Sequence, residues 1–345
     1  MIRVLRLRRF GLVGPLGDVP AASEARNAAP GDACSNIALA AVYLSLLVDV
    51  LVFFARPLFS THYIFPWDFR GIQLPLITFL RDGMQHGEFP LWNPFSFCGY
   101  PVFANIEACY FQPFIVLATL VSTVLSPETL PKLIEWAVVL QVWGAGIATF
   151  HLARELGVNR PAAWTGAIIF QTGGYFASRA EHIGAVMAVA WMPLAWLAVL
   201  KLSRNWNRRW FAVLSLALGI SVVGGFPQAT LSVYISVAIW AATLAAFRFS
   251  RVRLVAISIA GCALGIALAA VQFIPTAQLV ENSVAKYRAD WLGAGGGMFP
   301  ESLVSLLLPN PTTSSIWRTS AVRGIQRSYT SMAASSGWRW LSSRY

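Results

Sequence analysis

Long apolar runs, separated by short basic or proline-bearing breaks, dominate this chain. A helix that crosses a bilayer needs about 20 mostly apolar residues. Runs of that kind predict seven spans, over 36–55, 133–152, 162–178, 184–202, 210–225, 229–247 and 254–275. An eighth apolar stretch, 113–125, has only 13 residues and opens on Pro113. Length alone leaves its status ambiguous.

Charge resolves the ambiguity. With 113–125 left out of the span count, 1–35, 153–161, 203–209 and 248–253 share one side of the membrane and, with Lys201 at their edge, carry 14 basic residues. The opposite side, up to residue 313, carries seven spread over a far longer stretch. Counting 113–125 as a span would move the clusters KLSRNWNRR and RFSRVR outside, against the positive-inside bias. The segment is therefore expected to be re-entrant or interfacial, and the N-terminus cytoplasmic. The first 35 residues carry Arg3, Arg6, Arg8, Arg9 and Arg26 without a signal-peptide core and cleavage site, which predicts a basic cytoplasmic tail over 1–35. A transmembrane domain follows over 36–313, and the Ser-, Arg- and Trp-rich stretch 314–345 reads as a disordered or frameshifted tail. The expected fold class is all-α, a polytopic bundle of about seven spans.

One large external loop, 56–132, remains between the first two spans. From His62 to Phe114 it holds 14 aromatic residues in 53, twice the chain average, and Pro66, Pro75, Pro90, Pro94, Pro101 and Pro113 divide it. Such a stretch predicts short interfacial helices and turns, because amphipathic rings settle at the headgroup level. Long loops in folded domains are usually functional.

Composition agrees. Hydrophobic residues make up 57% of the chain and charged residues 12%, against about a quarter charged in soluble domains. A water-soluble globule cannot hide so much apolar side chain, and disorder is excluded on the same ground. The net charge of +11 reads as cytoplasmic loop arginines rather than a nucleic-acid surface. The bilayer is the expected partner.

Chemistry concentrates on the outer side. Asp49 lies inside the first span, where a carboxylate is costly and points to function or a wet cavity. Glu135, three residues into its span, is explained by depth near the interface. The first outer loop offers Asp68, Arg70, Arg81, Asp82, His86, Glu88 and Glu107; the second offers Arg179, Glu181 and His182; the third turn, GGFPQ, offers Gln228. A carboxylate can take a proton from an acceptor hydroxyl, arginines bind phosphate, and rings cover a sugar's apolar face. Each residue singly reads as solvated loop charge; convergence of the loops would make a site. No P-loop or dinucleotide fingerprint occurs, and His62, His86, His151 and His182 show no metal-ligand spacing. No cofactor is indicated and nothing in the sequence supports a divalent metal. Cys98 and Cys109 share the first loop; a bond between them and two unpaired thiols both stand, the second being favoured. Gly261 and Gly265 form a GxxxG that helix packing explains.

Two blocks carry a family likeness. DFRGIQLP (68–75) and GEFPLWNPFSFCGYP (87–101) resemble the opening of YfhO-type bacterial membrane proteins, as do RELGVNRPAA (154–163), HIGA (182–185), GGFPQ (224–228) and AAVQFIPT (269–276). The family is similar to the GT-C superfamily of integral-membrane glycosyltransferases. The resemblance implies transfer of a sugar from a polyprenyl-phosphate carrier to a glycan or cell-envelope acceptor, at the outer face of the bacterial inner membrane. It implies Asp68 as the catalytic carboxylate of the first loop. It further implies phosphate contacts from Arg70, Arg179 or His182, with Glu181 in the same second loop. Gln73, Trp92 and Asn93 shape the loop or bind sugar, Glu107 stands where relatives carry a glutamine or another polar residue, and Gln228 completes the set. Relatives run to about twice this length, which implies that the chain is the front part of a longer enzyme or a truncated, inactive copy. A transporter or flippase of lipid-linked glycans, and a non-catalytic membrane assembly protein, are the alternatives.

Overall fold

A computed structural model of the chain describes residues 32–246 and 251–287. Most of the expected basic tail and all of 314–345 lie outside the described residues. The described part is helical. Its elements are α1 (Asp32–Phe53), α2 (Ala55–Phe59), α3 (Leu74–Gln85), α4 (Pro113–Val124), α5 (Leu130–Glu155), α6 (Arg160–Gln171) and α7 (Gly174–Ser178). Then come α8 (Ile183–Ala190), α9 (Met192–Arg204), α10 (Arg208–Val222), α11 (Pro227–Ala246), α12 (Arg251–Leu268) and α13 (Ala270–Glu281).

Helix boundaries follow from local chemistry. Pro75, Pro113, Pro131, Pro161 and Pro193 sit in the first two positions of α3, α4, α5, α6 and α9, where a missing N–H costs nothing. The side chains of Gln112, Asn159 and Asn207 accept from free backbone N–H groups at the starts of α4, α6 and α10. At the end of α5, Gly157 takes φ +88°. Val158 N then donates to Ala153 O and Gly157 N to Arg154 O, both at 3.1 Å. This double bond pattern closes the helix with a left-handed residue.

Among the described residues, four segments are long and apolar enough to cross a membrane: Asn36–Phe53, Pro127–Glu155, Ile183–Arg204 and Pro227–Ala246. Val252–Leu268 and Ala270–Glu281 make a fifth if counted as one span, though they meet at 74°. The other two expected spans fall on shorter helices. The 162–178 run is cut by Gly173–Gly174 into α6, of 12 residues, and the five-residue α7. The 210–225 run becomes α10, of 15 residues, which ends where Val223–Gly225 turn. The doubtful segment 113–125 forms the 12-residue α4, about 18 Å long at 1.5 Å per residue.

α5 is the hub, packing against α1, α4, α6, α8 and α9. One buried cluster joins it to α1 and the first loop through Val50, Phe54, Phe65, Phe69, Ile134 and Val138. A second, with Ala198, Leu214, Leu218, Val233, Val237 and Leu254, joins α9 through α12. Lipid tails are as apolar as these side chains, so close van der Waals packing holds such helices together. The GxxxG does this in α12. A Cβ on Gly261 would meet Leu214 Cδ2 at 2.7 Å, and one on Gly265 would meet Leu218 Cβ at 2.8 Å.

Two polar clamps fix the first loop to the bundle. Glu135 is fully buried; its Oε1 accepts from Phe65 N at 2.8 Å, and its Oε2 lies 2.8 Å from Lys132 Nζ. Lys132 also donates to Pro57 O and Tyr63 O. Glu135, expected near the interface, is a buried carboxylate that anchors the loop to the start of α5. On the other side, Gln272 donates to Phe103 O at 3.1 Å and Thr276 to Ala104 O at 2.8 Å. Both come from the AAVQFIPT stretch, and they hold α13 against the loop after the bend. Asp49, partly buried, accepts at Oδ2 from Gln171 Nε2 at 2.7 Å, joining α1 to α6.

Candidate functional site

Local backbone irregularity gathers at Asp68. Trp67, just before it, holds φ +53°, a left-handed conformation that costs a bulky residue energy. The next five residues, Phe69–Gln73, form a wide π-helical turn, a rare geometry that recurs at functional sites. Packing anchors the turn at Phe69. Phe69 is fully buried and stacks edge-to-face on Phe65 at 5.8 Å, which stacks in turn on Phe54 at 6.0 Å. With Phe69 pinned inward, Asp68 is left half-exposed above the ring stack.

The loop 179–182 meets it there. Phe69 N donates to Glu181 O at 3.0 Å, and His182 Nδ1 lies 3.1 Å from Asp68 Oδ2. The other imidazole nitrogen, Nε2, lies 3.5 Å from Glu181 Oε1. The ring therefore sits between two carboxylates. The third turn covers it: Phe226 packs on the His182 ring at 5.4 Å, tilted by 33°. The loops come this close because small residues line the seam. A Cβ on Gly184 would meet Gly224 O at 2.8 Å, and one on Gly225 would meet Cys109 Sγ at 2.5 Å.

Gly225 also has φ +95°. Gly225→Ala is expected to lower stability by about 3 kcal/mol, summing left-handed strain and overpacking. Gly87 has φ +74° but open space around its Cβ position, so Gly87→Ala should cost about 1 kcal/mol. Thermal melts of the two variants in one detergent check the contrast; equal losses would mean that the seam is not tightly packed.

The remaining candidates divide. Arg70 and Arg179 are exposed, stand two and three residues from Asp68 and His182, and form no ion pair among the described residues. Glu107 is exposed in the turn that packs on Gly225, and Gln228 is exposed in the first turn of α11. Gln73 is buried, its Oε1 without a hydrogen-bond partner among the described residues. Asn93 is structural. Its backbone exchanges two hydrogen bonds with Tyr100, at 2.9 and 3.0 Å, and its Oδ1 accepts from Phe95 N at 2.9 Å. Trp92 lies over Gly99, closing the same loop, and among the described residues no hydrogen bond, ion pair or ring contact joins Trp92 or Asn93 to Asp68 or His182. Among the described residues no group of three or more His, Cys, Asp and Glu is arranged to hold a metal.

Sequence reasoning left the role of Phe226 unassigned, since an aromatic in GGFPQ carries no sign of the ring beneath it. Cys98 and Cys109 are both free thiols, the first exposed and the second buried. Burial, reinforced by Glu107, pushes the Cys109 thiol up to about 12. Its thiolate is the reactive form, so at pH 8 a maleimide should modify Cys98 and leave Cys109 intact, as read by peptide mass spectrometry. Reaction of Cys109 at a comparable rate would contradict the buried position.

Comparison of the chain with protein-family models, with curated proteins and with solved structures returns no match.

Proposed function

We propose that this chain is an integral-membrane glycosyltransferase, or the front part of one, that takes a sugar from a polyprenyl-phosphate carrier and passes it to an extracytoplasmic acceptor. The observation that carries the reading is the meeting of Asp68 with His182 and Glu181, from two loops 110 or more residues apart, beneath Phe226. In this reading the bundle crosses the inner membrane seven times, with its N-terminus in the cytoplasm, a GT-C-like arrangement, and the site faces outward.

Asp68 is the base. His182 occupies its Oδ2, leaving Oδ1 to accept the proton of an acceptor hydroxyl. The acceptor oxygen bonds to the sugar's anomeric carbon as the bond from that carbon to the carrier phosphate oxygen breaks. The phosphate leaves with the electron pair, and Arg70 and Arg179, both exposed beside the site, neutralise it. Exposed rings of the first loop, Trp67 above all, offer an apolar face to the sugar. Purified protein in proteoliposomes, given radiolabelled polyprenyl-phosphate sugars and an envelope glycan acceptor, should form labelled product. Folded protein that forms none with any carrier sugar tested would overturn the reading.

A second reading, a transporter of lipid-linked glycans, draws on the 74° break between α12 and α13 and the Asp49–Gln171 pair within the bundle, since transporters place broken helices and polar groups at membrane depth. It predicts movement of the lipid-linked glycan between leaflets without any change in its covalent structure.

A further inference from the structure

A sizeable cavity lies apart from the site around Asp68. That cavity, of 510 Å³, lies between α5 and α9 and is walled by Phe114, Gly144, Ala148, Trp191, Leu194 and Leu197. Its size is that of a small-molecule or lipid-chain site. At one end stands Gln141, whose hydrogen bonding is mostly used. Its Oε1 accepts from Gln112 Nε2 and Trp191 Nε1 at 2.9 and 3.1 Å, and its Nε2 donates to Ala137 O at 3.0 Å. That end offers little to a polar ligand.

The other end is different. His151, Glu155 and Lys201 line it, with the Lys201 ammonium 5.8 Å from the centre of the Trp210 ring. The one carboxylate, Glu155, is shared by two cations, Lys201 and Arg204. The group therefore keeps a net positive charge, and an ammonium and a guanidinium have more N–H donors than Glu155 can take. Arg208 and Arg209 follow at the start of α10. Along α5, Glu155 is 20 residues from Glu135, the residue that anchors the first loop, so the charged mouth is about 30 Å from that end. It cannot belong to the sugar site.

We propose that this cavity binds an anionic membrane phospholipid, one acyl chain lying between α5 and α9 and the phosphate resting on Lys201 and Arg204. Apolar walls and a cationic mouth at the basic end of a helical bundle are the features that select such a lipid over a zwitterionic one. The inference rests on the membrane-embedded bundle alone and stands apart from the glycosyltransferase reading.

Gly144 supplies the test. It lines the cavity, and a Cβ built on it meets nothing within 4 Å, so Gly144→Phe should fill the space without disturbing the helices. Gly166, equally open but away from the cavity, gives the control Gly166→Leu. The full chain, delipidated in detergent, is titrated with phosphatidylglycerol or phosphatidylcholine of matched chains and read by native mass spectrometry. One phosphatidylglycerol per chain should be retained about tenfold more strongly than phosphatidylcholine. Lys201→Gln with Arg204→Gln should bring the two lipids within about twofold. Gly144→Phe should remove retention of both, and Gly166→Leu should change nothing. Equal retention of both lipids by the unaltered protein, or retention that survives Gly144→Phe with an unchanged melt, would overturn the proposal. So would displacement of phosphatidylglycerol by an equimolar polyprenyl phosphate, which would assign the cavity to the carrier instead.

Discussion

Asp68→Asn should reduce sugar transfer by about two to four orders of magnitude, the range for loss of a positioned general base. The amide keeps the size of the side chain and can still bond His182, so the loops should stay joined. What it loses is the capacity to take a proton from the acceptor hydroxyl. Binding of the carrier lipid, through Arg70 and Arg179, should survive, and the loss should appear in kcat rather than KM. Glu88, exposed in the same loop and without an ion pair among the described residues, is the matched control, and Glu88→Gln should leave transfer within about twofold of the unaltered rate. An Asp68→Asn variant that transfers at full rate would remove Asp68 from the chemistry.

The second large effect concerns stability. Glu135→Ala should lower it by about 3 kcal/mol, the order expected when one partner of a buried pair is removed. The carboxylate is fully buried and serves both Phe65 N–H and the Lys132 ammonium. Alanine leaves both donors without their acceptor, although Lys132 keeps Pro57 O and Tyr63 O. Phe65 also supports the ring stack beneath Asp68, so the loss should spread to the site. Glu135→Gln, which retains an acceptor for Phe65 N–H, should cost less. Melts in a fixed detergent measure both, and a Glu135→Ala melt unchanged from that of the unaltered protein would show that the clamp does not hold the loop.

The apolar runs made four spans legible because length and hydropathy decide that question locally. They gave no sign of the breaks within 162–178, where Gly173–Gly174 ends a helix inside an apolar stretch, and within 254–275, where α12 and α13 part at Ala269. That bend has no glycine or proline at its apex; Gln272 and Thr276 bonding to Phe103 and Ala104 hold it, and such partners, 169 and 172 residues away, leave no local trace. The same limit applies to Glu135, whose bond to Phe65 spans 70 residues. At the site, the outer loops could be expected to converge, and Asp68, Glu181 and His182 could be named from residue type. Which of them touch, and that Phe226 covers them, depended on the packing of Phe69 and on the glycine seam. Trp92 and Asn93 were expected to shape the loop or bind sugar, and their contacts with Gly99, Tyr100 and Phe95 are of the loop-shaping kind.

The most direct test of the account is whether positions 68 and 182 share one site on the outer side of the membrane. Asp68→Cys and His182→Cys, in a chain whose exposed Cys98 is serine, are treated in sealed, right-side-out vesicles with a short, membrane-impermeant bifunctional thiol reagent. The account predicts an internal cross-link in the double variant, read by peptide mass spectrometry, and simple modification of each single variant. Cysteines that each react but never cross-link, or that react only after the vesicles are opened, would contradict it.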